Sequence, residues 1–583
     1  MRSPTLQFHF QSSIQQFSNP INVWQAEQLD EIAPIFNEIE AYLDEGYYIA
    51  GFVSYEAAPA FDASYMVHSN QQLPLVWFAA FNEPSNHPIN HITKDYELGK
   101  WQYTTDYKNY QRNITNIKDA IAAGNTYQVN YTTRLKAPFV GDPYSFYQQL
   151  AKNQRASYSA YLDIGDTQIL SASPELFFHV KDGNIVTKPM KGTIKRGRTY
   201  QEDIKLQQQL RQSEKDQAEN VMIVDLLRND IGRIAKPGTV NVTSLFDVET
   251  YPTVHQMTSS ITAQLETSKV FDWFQALFPC GSITGAPKVE TMKYIAQLED
   301  TPREVYCGAI GWISPQREAI FNVPIRTAFI QDGVATYGAG GGITWDSISQ
   351  NEYDELNQKA EILRQNRQNV SLIESLKLED GQYPLLPYHM KRLKESTYYF
   401  GYPFNKVEVE EKLQELATTY KKGIYKIRLL YHSSGDFDCE HQLVPLLKGP
   451  IQSAVATTPI DCSTIYLYHK TTNRQVYEWH DQQSSEHVFT TLLWNKEGFI
   501  TEFTLGNIVI EKNGYYYTPP VTDGLLAGTF RGHLVENKTI IEKQLRLSEL
   551  KDADQIWFIN SVRGWLKVQI NVDEEKQKSR KNN

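Results

Sequence analysis

The feature that most constrains this chain is a polar run, RQNRQN at 364–369, set between two stretches of regular hydrophobic periodicity. Immediately after it the periodicity restarts with VSLIESLKLEDG. A chain of 583 residues exceeds what one hydrophobic core accommodates, so the run marks a boundary between separately packed parts. The expected organisation is 1–100 as the N-terminal part of a first unit and 101–366 as its catalytic domain. A second domain follows at 371–575, with a tail at 576–583, in an α/β and α+β multidomain protein.

Composition narrows the function classes. Apolar residues make up 41% and charged residues 21%, as in globular proteins. The net charge is -11 and the Lys and Arg are dispersed, which argues against a nucleic-acid partner. No apolar run approaches the roughly 18 residues of a membrane span. The N-terminus MRSPTLQFHFQSSIQQF lacks the pattern of a signal peptide. Cys280, Cys307, Cys439 and Cys462 lie far apart, without zinc or disulfide spacing, and read as small hydrophobes of a reducing cytoplasm.

Local pattern then places the chemistry. Residues 106–123 read as an amphipathic helix with Tyr110, Ile114, Ile117 and Ile121 on one face, stopped by Gly124-Asn125 and followed by the strand TYQVNYTTRL. A long helix is expected from Gln201 to Ile234, with Asp216 and Glu219 on one face near its middle. A strand GVATYGA should end in the glycine run 340–342, before a helix that starts near Ile348 and carries Glu352 and Glu355. Two acidic i, i+3 pairs can supply Mg2+ with carboxylates. Such pairs are more often a solvated helix face. The apolar NVMIVDLL at 220–227, however, calls for burial of the helix that bears the first pair. GAGGGI fails the dinucleotide-binding pattern and GSITGAPK the Walker pattern, yet both offer bare backbone N–H groups to an anion such as a carboxylate. From 371 to Val572 the chain is strand-rich with short helices, and the tail DEEKQKSRKNN has no apolar content.

The segments YQVN at 127–130, SPELF at 173–177, PMKGT at 189–193 and DQAENVMIVDLLRND at 216–230 are followed by VHQMTS around His255 and FPCGSITGAPK at 278–288. YCGAIG at 306–311, IRT at 325–327, GAGGGI at 338–343 and EYDELNQKA at 352–360 complete the series. In type and order they resemble the chorismate-utilising enzyme family. The resemblance implies a fold of large, mainly antiparallel sheets with helices. It also implies Mg2+ on Glu219 and Glu355, with Asp216 and Glu352 nearby. Tyr306, Arg326 and the backbone of Gly340–Gly342 would hold the pyruvyl carboxylate, with Gly192, Thr193, Thr284 and Lys359 completing the substrate site. Glu175 would be the general acid for the departing hydroxyl, with His255 near the same face.

Within that family Gln128 stands where isochorismate- and salicylate-forming members carry a water-activating lysine. Lys191 stands where anthranilate synthases carry alanine. A lysine there implies aminodeoxychorismate synthase activity, in which the neutral amine attacks ring C2 as hydroxide leaves C4. No glutamine-hydrolysing domain is recognisable, so ammonia is expected from solution or from a separate glutamine amidotransferase subunit.

In the last third, IESLKLEDGQYPLLPYHMKRL, KIRLLY, LYHKTTNR, TEFTLGNIVI, YTPPVTDGLLAGTFRG and WFINSVRGW resemble the class IV aminotransferase fold. That resemblance implies a fold-type IV pyridoxal-phosphate domain. Lys470 would carry the cofactor, Glu502 would face its pyridine nitrogen, and Arg392, Thr529 and Ser561 would hold its phosphate. Phe530 departs from the usual pattern, which has Thr before the Arg. The residues leave lyase and transaminase open at this point. A neighbouring synthase favours 4-amino-4-deoxychorismate lyase, and so 4-aminobenzoate formation for folate; the alternative is an anthranilate synthase-like component with an appended aminotransferase. A homodimer through the C-terminal domain is the further expectation.

Overall fold

Strand alternation decides which faces meet. Along Thr5–Phe10, Leu6, Phe8 and Phe10 are buried while His9 between the last two is exposed, as a half-buried strand requires. The computed structural model describes residues 3–570 apart from 12, 365–368, 448 and 485–486. Most of the run 364–369 and the whole of the tail therefore lie outside the described residues. The described residues fall into two compact units, 3–196 with 206–364 and 197–205 with 369–570.

The first unit is built on two ten-stranded antiparallel sheets. Leu6, Phe8, Leu162 and Ile169 of one sheet and Ala50, Phe52, Trp77 and Trp312 of the other share one buried cluster, so the sheets pack face to face. The outer face of the first is covered by helices Tyr107–Ala122, Pro143–Gln154 and Ser349–Ala360. That of the second is covered by Ile32–Asp44, Glu214–Gly232 and Val270–Leu277.

Two elements differ from expectation. The single helix from Gln201 to Ile234 is two, Tyr200–Arg211 and Glu214–Gly232. Ser213 makes the break: its hydroxyl accepts from the N–H of Asp216 and opens a new helix. Asp216 thus lies in a first turn rather than mid-helix. The glycine run does not end its strand, which continues as Val334–Ile343 and pairs with Gln128–Gly141 in the register Gly342↔Asn130, Gly341↔Tyr131 and Gly340↔Thr132.

The second unit contains a three-stranded antiparallel sheet, Leu372–Glu379, Ile424–Tyr431 and Phe437–Leu443. Leu376, Leu378, Ile427 and Leu429 on one of its faces pack on helices Leu386–Phe400 and Lys406–Thr419. An eight-stranded mixed sheet follows, in which Ile500–Phe503 pairs with both Thr490–Trp494 and Gly506–Lys512, closing six strands into a ring.

One buried ion cluster in the first unit positions a site. Glu299 accepts from Arg303 at 2.7 Å, from Arg134 at 3.3 Å and from the N–H of Thr132 at 2.9 Å. Arg303 donates onward to the carbonyls of Asn130 and Ile283, and its guanidinium lies 4.6 Å from the centre of the Tyr55 ring. Replacing Arg303 by Met leaves Glu299 with one cation and two carbonyls without donors. The expected loss is about 3–5 kcal/mol from the first unit, read in chemical denaturation, with the transition of the second unit unmoved. A loss below about 1 kcal/mol, the size of a surface pair, would show that the cluster is not what holds these segments.

Candidate functional site

In the first unit the strand pair carrying the glycine run floors a cavity of about 360 Å³. The glycines are needed because neighbours come close. A Cβ on Gly338 would lie 2.3 Å from the Tyr306 ring, and one on Gly340 would lie 2.3 Å from the carbonyl oxygen of Tyr131. Lys191 enters through an irregularity in the strand Met190–Lys195, whose register against Val254–Gln264 slips between Met190 and Thr193 while Gly192 takes φ +93°. Its amine would sit 3.0 Å from a Cβ on Gly342.

Burial lowers the affinity of the Lys191 amine for its proton, and Lys359 adds to this, against the opposing pull of Glu219, Glu175 and Glu355. Glu175 is buried and accepts from the Ser282 hydroxyl at 2.6 Å. Burial pushes its carboxyl up to about 7 despite Ser282 and Lys191. The two shifts run in the directions that a proton-donating acid and a nucleophilic amine require.

Asp216, Glu219, Glu352 and Glu355 line the same cavity. Burial raises Glu219 and Glu352, and neighbouring carboxylates raise them further. Glu355 goes down, chiefly through Lys359 at 2.6 Å. Among the described residues no group of three or more His, Cys, Asp or Glu converges as a protein cage for a metal. Mg2+ needs less than that, since it binds one or two carboxylates and fills its octahedron with water and substrate oxygens. Crowded carboxylates in a polar cavity fit such an ion, which would relieve their repulsion.

Gly192, Thr193, Tyr306, Arg326, Gly340, Gly342 and Lys359 also line this cavity. Arg326 donates to the Lys359 carbonyl at 2.9 Å. Two expected residues stand behind the wall. Thr284 is buried and donates to the carbonyls of Cys280 and Gly281. His255 is buried with its Nδ1 facing Thr250 and Gln207. Ser282 received no role from the sequence, although it lies within GSITGAPK; only the fold brings it to Glu175.

The second unit holds a cavity of about 430 Å³ lined by Lys470, Glu502, Arg392, Thr529 and Ser561 among others. Burial, then Arg392 and Arg474, bring the Lys470 amine down to about 7. Glu502 is buried and pushed up to about 7; it accepts from Tyr477 at 2.8 Å, Asn507 at 3.2 Å and the N–H of Leu526 at 3.1 Å. Arg392 forks onto Glu374 at 2.8 and 2.6 Å, and Glu374 also accepts from His389, whose other nitrogen meets the Thr529 hydroxyl. Burial would raise Glu374, but Arg392 and His389 hold it at about 2. Thr529 opens helix Thr529–Glu536, and Ser561 donates to the Ser375 carbonyl. Phe530 turns to the Trp565 ring, a packing role that leaves the backbone of this helix start intact. A helix N-terminus with an arginine and two hydroxyls suits a phosphate, and a half-buried lysine whose amine has lowered proton affinity suits an aldehyde. The donor set therefore fits a phosphorylated pyridine aldehyde.

Comparison with known proteins agrees with this division. Residues 82–365 match the chorismate binding enzyme family, and residues 371–570 match the class IV amino-transferase family. Aminodeoxychorismate synthase component 1 of Salmonella typhimurium is 43% identical over 256 residues, 44% of this chain and 56% of that protein. Anthranilate synthase component 1 of Aquifex aeolicus is 36% identical over 276 residues, 47% of this chain and 56% of that protein. The crystal structure of anthranilate synthase component I from Streptococcus pneumoniae is matched at 25% identity and a TM-score of 0.51, over 62% of this chain and 90% of that one. The chain spans less than two thirds of the length of the curated relatives it matches.

The two buried amines make a direct prediction. In competitive acylation of the protein without added cofactor, Lys470 should reach half-maximal labelling near pH 7. Lys191 should follow below the surface lysines, which titrate at about 10.4. Labelling of both in step with exposed lysines would contradict the burial that lowers them.

Proposed function

We propose that this chain, a chorismate binding enzyme unit joined to a class IV amino-transferase unit, makes 4-aminobenzoate from chorismate in two steps. First, chorismate and ammonia give 4-amino-4-deoxychorismate and water. Second, that intermediate releases pyruvate as its ring becomes aromatic. The observation that carries the reading is Lys191, a half-buried residue whose amine has lowered proton affinity in a cavity it shares with Glu175 and four further carboxylates.

The amine attacks ring C2 while Glu175 gives its proton to the hydroxyl leaving C4, so water departs and C2 is occupied. Ammonia then bonds C4 and the lysine leaves C2, which keeps the new amine para to the ring carboxylate. Mg2+ on Glu219 and Glu355, with Asp216 and Glu352 beside them, would neutralise the ring carboxylate and polarise the ring. Arg326, Tyr306 and the glycine backbone hold the pyruvyl carboxylate, a task suited to a guanidinium fork. Ser282 orients the Glu175 carboxyl.

In the second unit Arg392, Thr529 and Ser561 would hold a cofactor phosphate and Glu502 would face a ring nitrogen. Pyridoxal phosphate supplies an electron sink there for the carbon that loses its proton. The Lys470 Nζ takes that proton from C4 of the substrate. The names of the relatives support an ammonia-using first step, and component 1 in those names supports a separate glutamine-hydrolysing partner. No described helix is long and apolar enough to cross a membrane, and we place the enzyme in the cytoplasm, as a homodimer through the second unit. Ortho amination, the reaction in the name of the Aquifex relative, is disfavoured by Lys191, because its amine occupies the carbon that ortho amination must reach.

The test is chorismate, ammonium and Mg2+ with and without pyridoxal phosphate, followed by product identification. Lys470→Ala should accumulate aminodeoxychorismate and release little pyruvate. Lys191→Ala should shift amination to the ortho carbon or lose activity. Glu219→Gln or Glu355→Gln should end chorismate consumption and leave the cofactor absorbance unchanged. A Lys191→Ala enzyme that forms 4-aminobenzoate at the parent rate would overturn the covalent mechanism.

A further inference from the structure

The loop that delivers Ser282 is pinned along one edge through its backbone. The carbonyl of Thr284 accepts from the N–H of Asn130, that of Ala286 from the N–H of Tyr127, and that of Ile283 from Arg303. Its other edge lies against helix Glu214–Gly232, the helix that carries Asp216 and Glu219. There a Cβ on Gly281 would lie 2.5 Å from the Leu226 side chain, so the loop rests directly on the helix. One turn further along the same helix face, Asp230 accepts from Lys288 at 2.8 Å, with both side chains buried.

Neither charge stands where its own helix favours it. Lys288 opens helix Lys288–Leu298, at the positive end of the helix dipole. Asp230 occupies the last turn of Glu214–Gly232, at the negative end. Each is unfavourable in its own helix and is compensated by the other. Stability does not account for the pair either, since apolar residues of similar volume often replace a buried ion pair without loss. What the pair supplies is register. A hydrogen-bonded pair of charges, buried beside a close backbone contact, tolerates little sliding of the loop along the helix.

We propose that Asp230 and Lys288 are positioning residues of the first cavity, whose ion pair straps the loop to the helix and so holds the Ser282 hydroxyl on Glu175. The inference rests on the reading of Glu175 as the acid of the first step. Two groups register the strap. The Cys280 thiol is buried on the same loop, 3.2 Å from the Ser282 hydroxyl, and becomes reachable when the loop lifts. Glu175 registers it through its proton. Lys191, Cys280, Tyr251 and the Met190 backbone face this carboxyl besides Ser282. Burial pushes it up to about 7 and the Ser282 bond opposes that push, so losing the bond moves it higher.

The experiment uses the full chain. Modification of Cys280 by methyl methanethiosulfonate, followed by peptide mass spectrometry, should be about tenfold faster in Lys288→Met and Asp230→Asn than in the parent, as local opening requires. Cys307, buried outside this loop, should keep its parent rate. Lys288→Arg, which retains the charge, should restore the protection of Cys280. In chorismate consumption the two disruptive variants should lower kcat about tenfold. They should also move the transition of kcat/KM near pH 7 upward, to where Ser282→Ala puts it. Adding Lys288→Met to Ser282→Ala should change nothing further, because both remove the same contact. Parent-rate labelling of Cys280, equal acceleration of Cys307, or effects that add to those of Ser282→Ala would each overturn the strap. Faster labelling of Cys280 with an unmoved transition supports the strap and defeats Glu175 as the acid. A chain that consumes no chorismate defeats that reading alone, since the labelling still decides the strap.

Discussion

The first unit depends on one buried ion cluster. Glu299 and Arg303 are fully out of water, where an unpaired charge is prohibitive. Their pairing is tolerable because every remaining donor and acceptor is used. The N–H of Thr132 and the second arginine, Arg134, satisfy Glu299. The carbonyls of Asn130 and Ile283 take the far side of Arg303, and Glu56 accepts the N–H groups of Arg303 and Glu304. Those carbonyls belong to the strand opposite the glycine run and to the loop that delivers Ser282. The cluster therefore sets both the cavity floor and the donor that orients Glu175. Asn130 lies two residues from Gln128, whose buried amide finds no partner among the described residues and whose Nε2 would be 1.9 Å from a Cβ on Gly342. Close approach at that point requires the bare backbone of glycine.

Both cavities use the same device with different surroundings. An amine is taken out of water so that its charged form is penalised and a neutral nucleophile becomes available. Around Lys470 other cations add to the penalty, and the amine falls to about 7. Around Lys191 most of the close neighbours are carboxylates that oppose the penalty, and burial must outweigh them. A dication among those carboxylates would withdraw that opposition and free the amine further.

Much of this was legible in the sequence because chemistry-bearing residues cluster in short segments. Lys191, Glu219, Glu355, Lys470 and Glu502 line the cavities they were expected to share. What was not legible came from interactions outside any local period. The break at Ser213 depends on one hydroxyl capping a new helix in a run whose helical character does not otherwise change. The glycine run pairs across its whole length with a strand some 200 residues earlier, which no local pattern announces. Thr284 and His255 sit in segments that do contribute to the site, yet alternation and local bonds turn them away from it.

The charge balance of the two cavities explains how one chain can handle related anions by opposite means. Five carboxylates, Glu175, Asp216, Glu219, Glu352 and Glu355, and four cations, Lys191, Lys215, Arg326 and Lys359, line the first cavity. A dication bound among those carboxylates would offset the repulsion between them. The second cavity has cations in excess. Attraction of an anion by a cavity with cations in excess acts on encounter rate and on selection among anions, not on the chemical step.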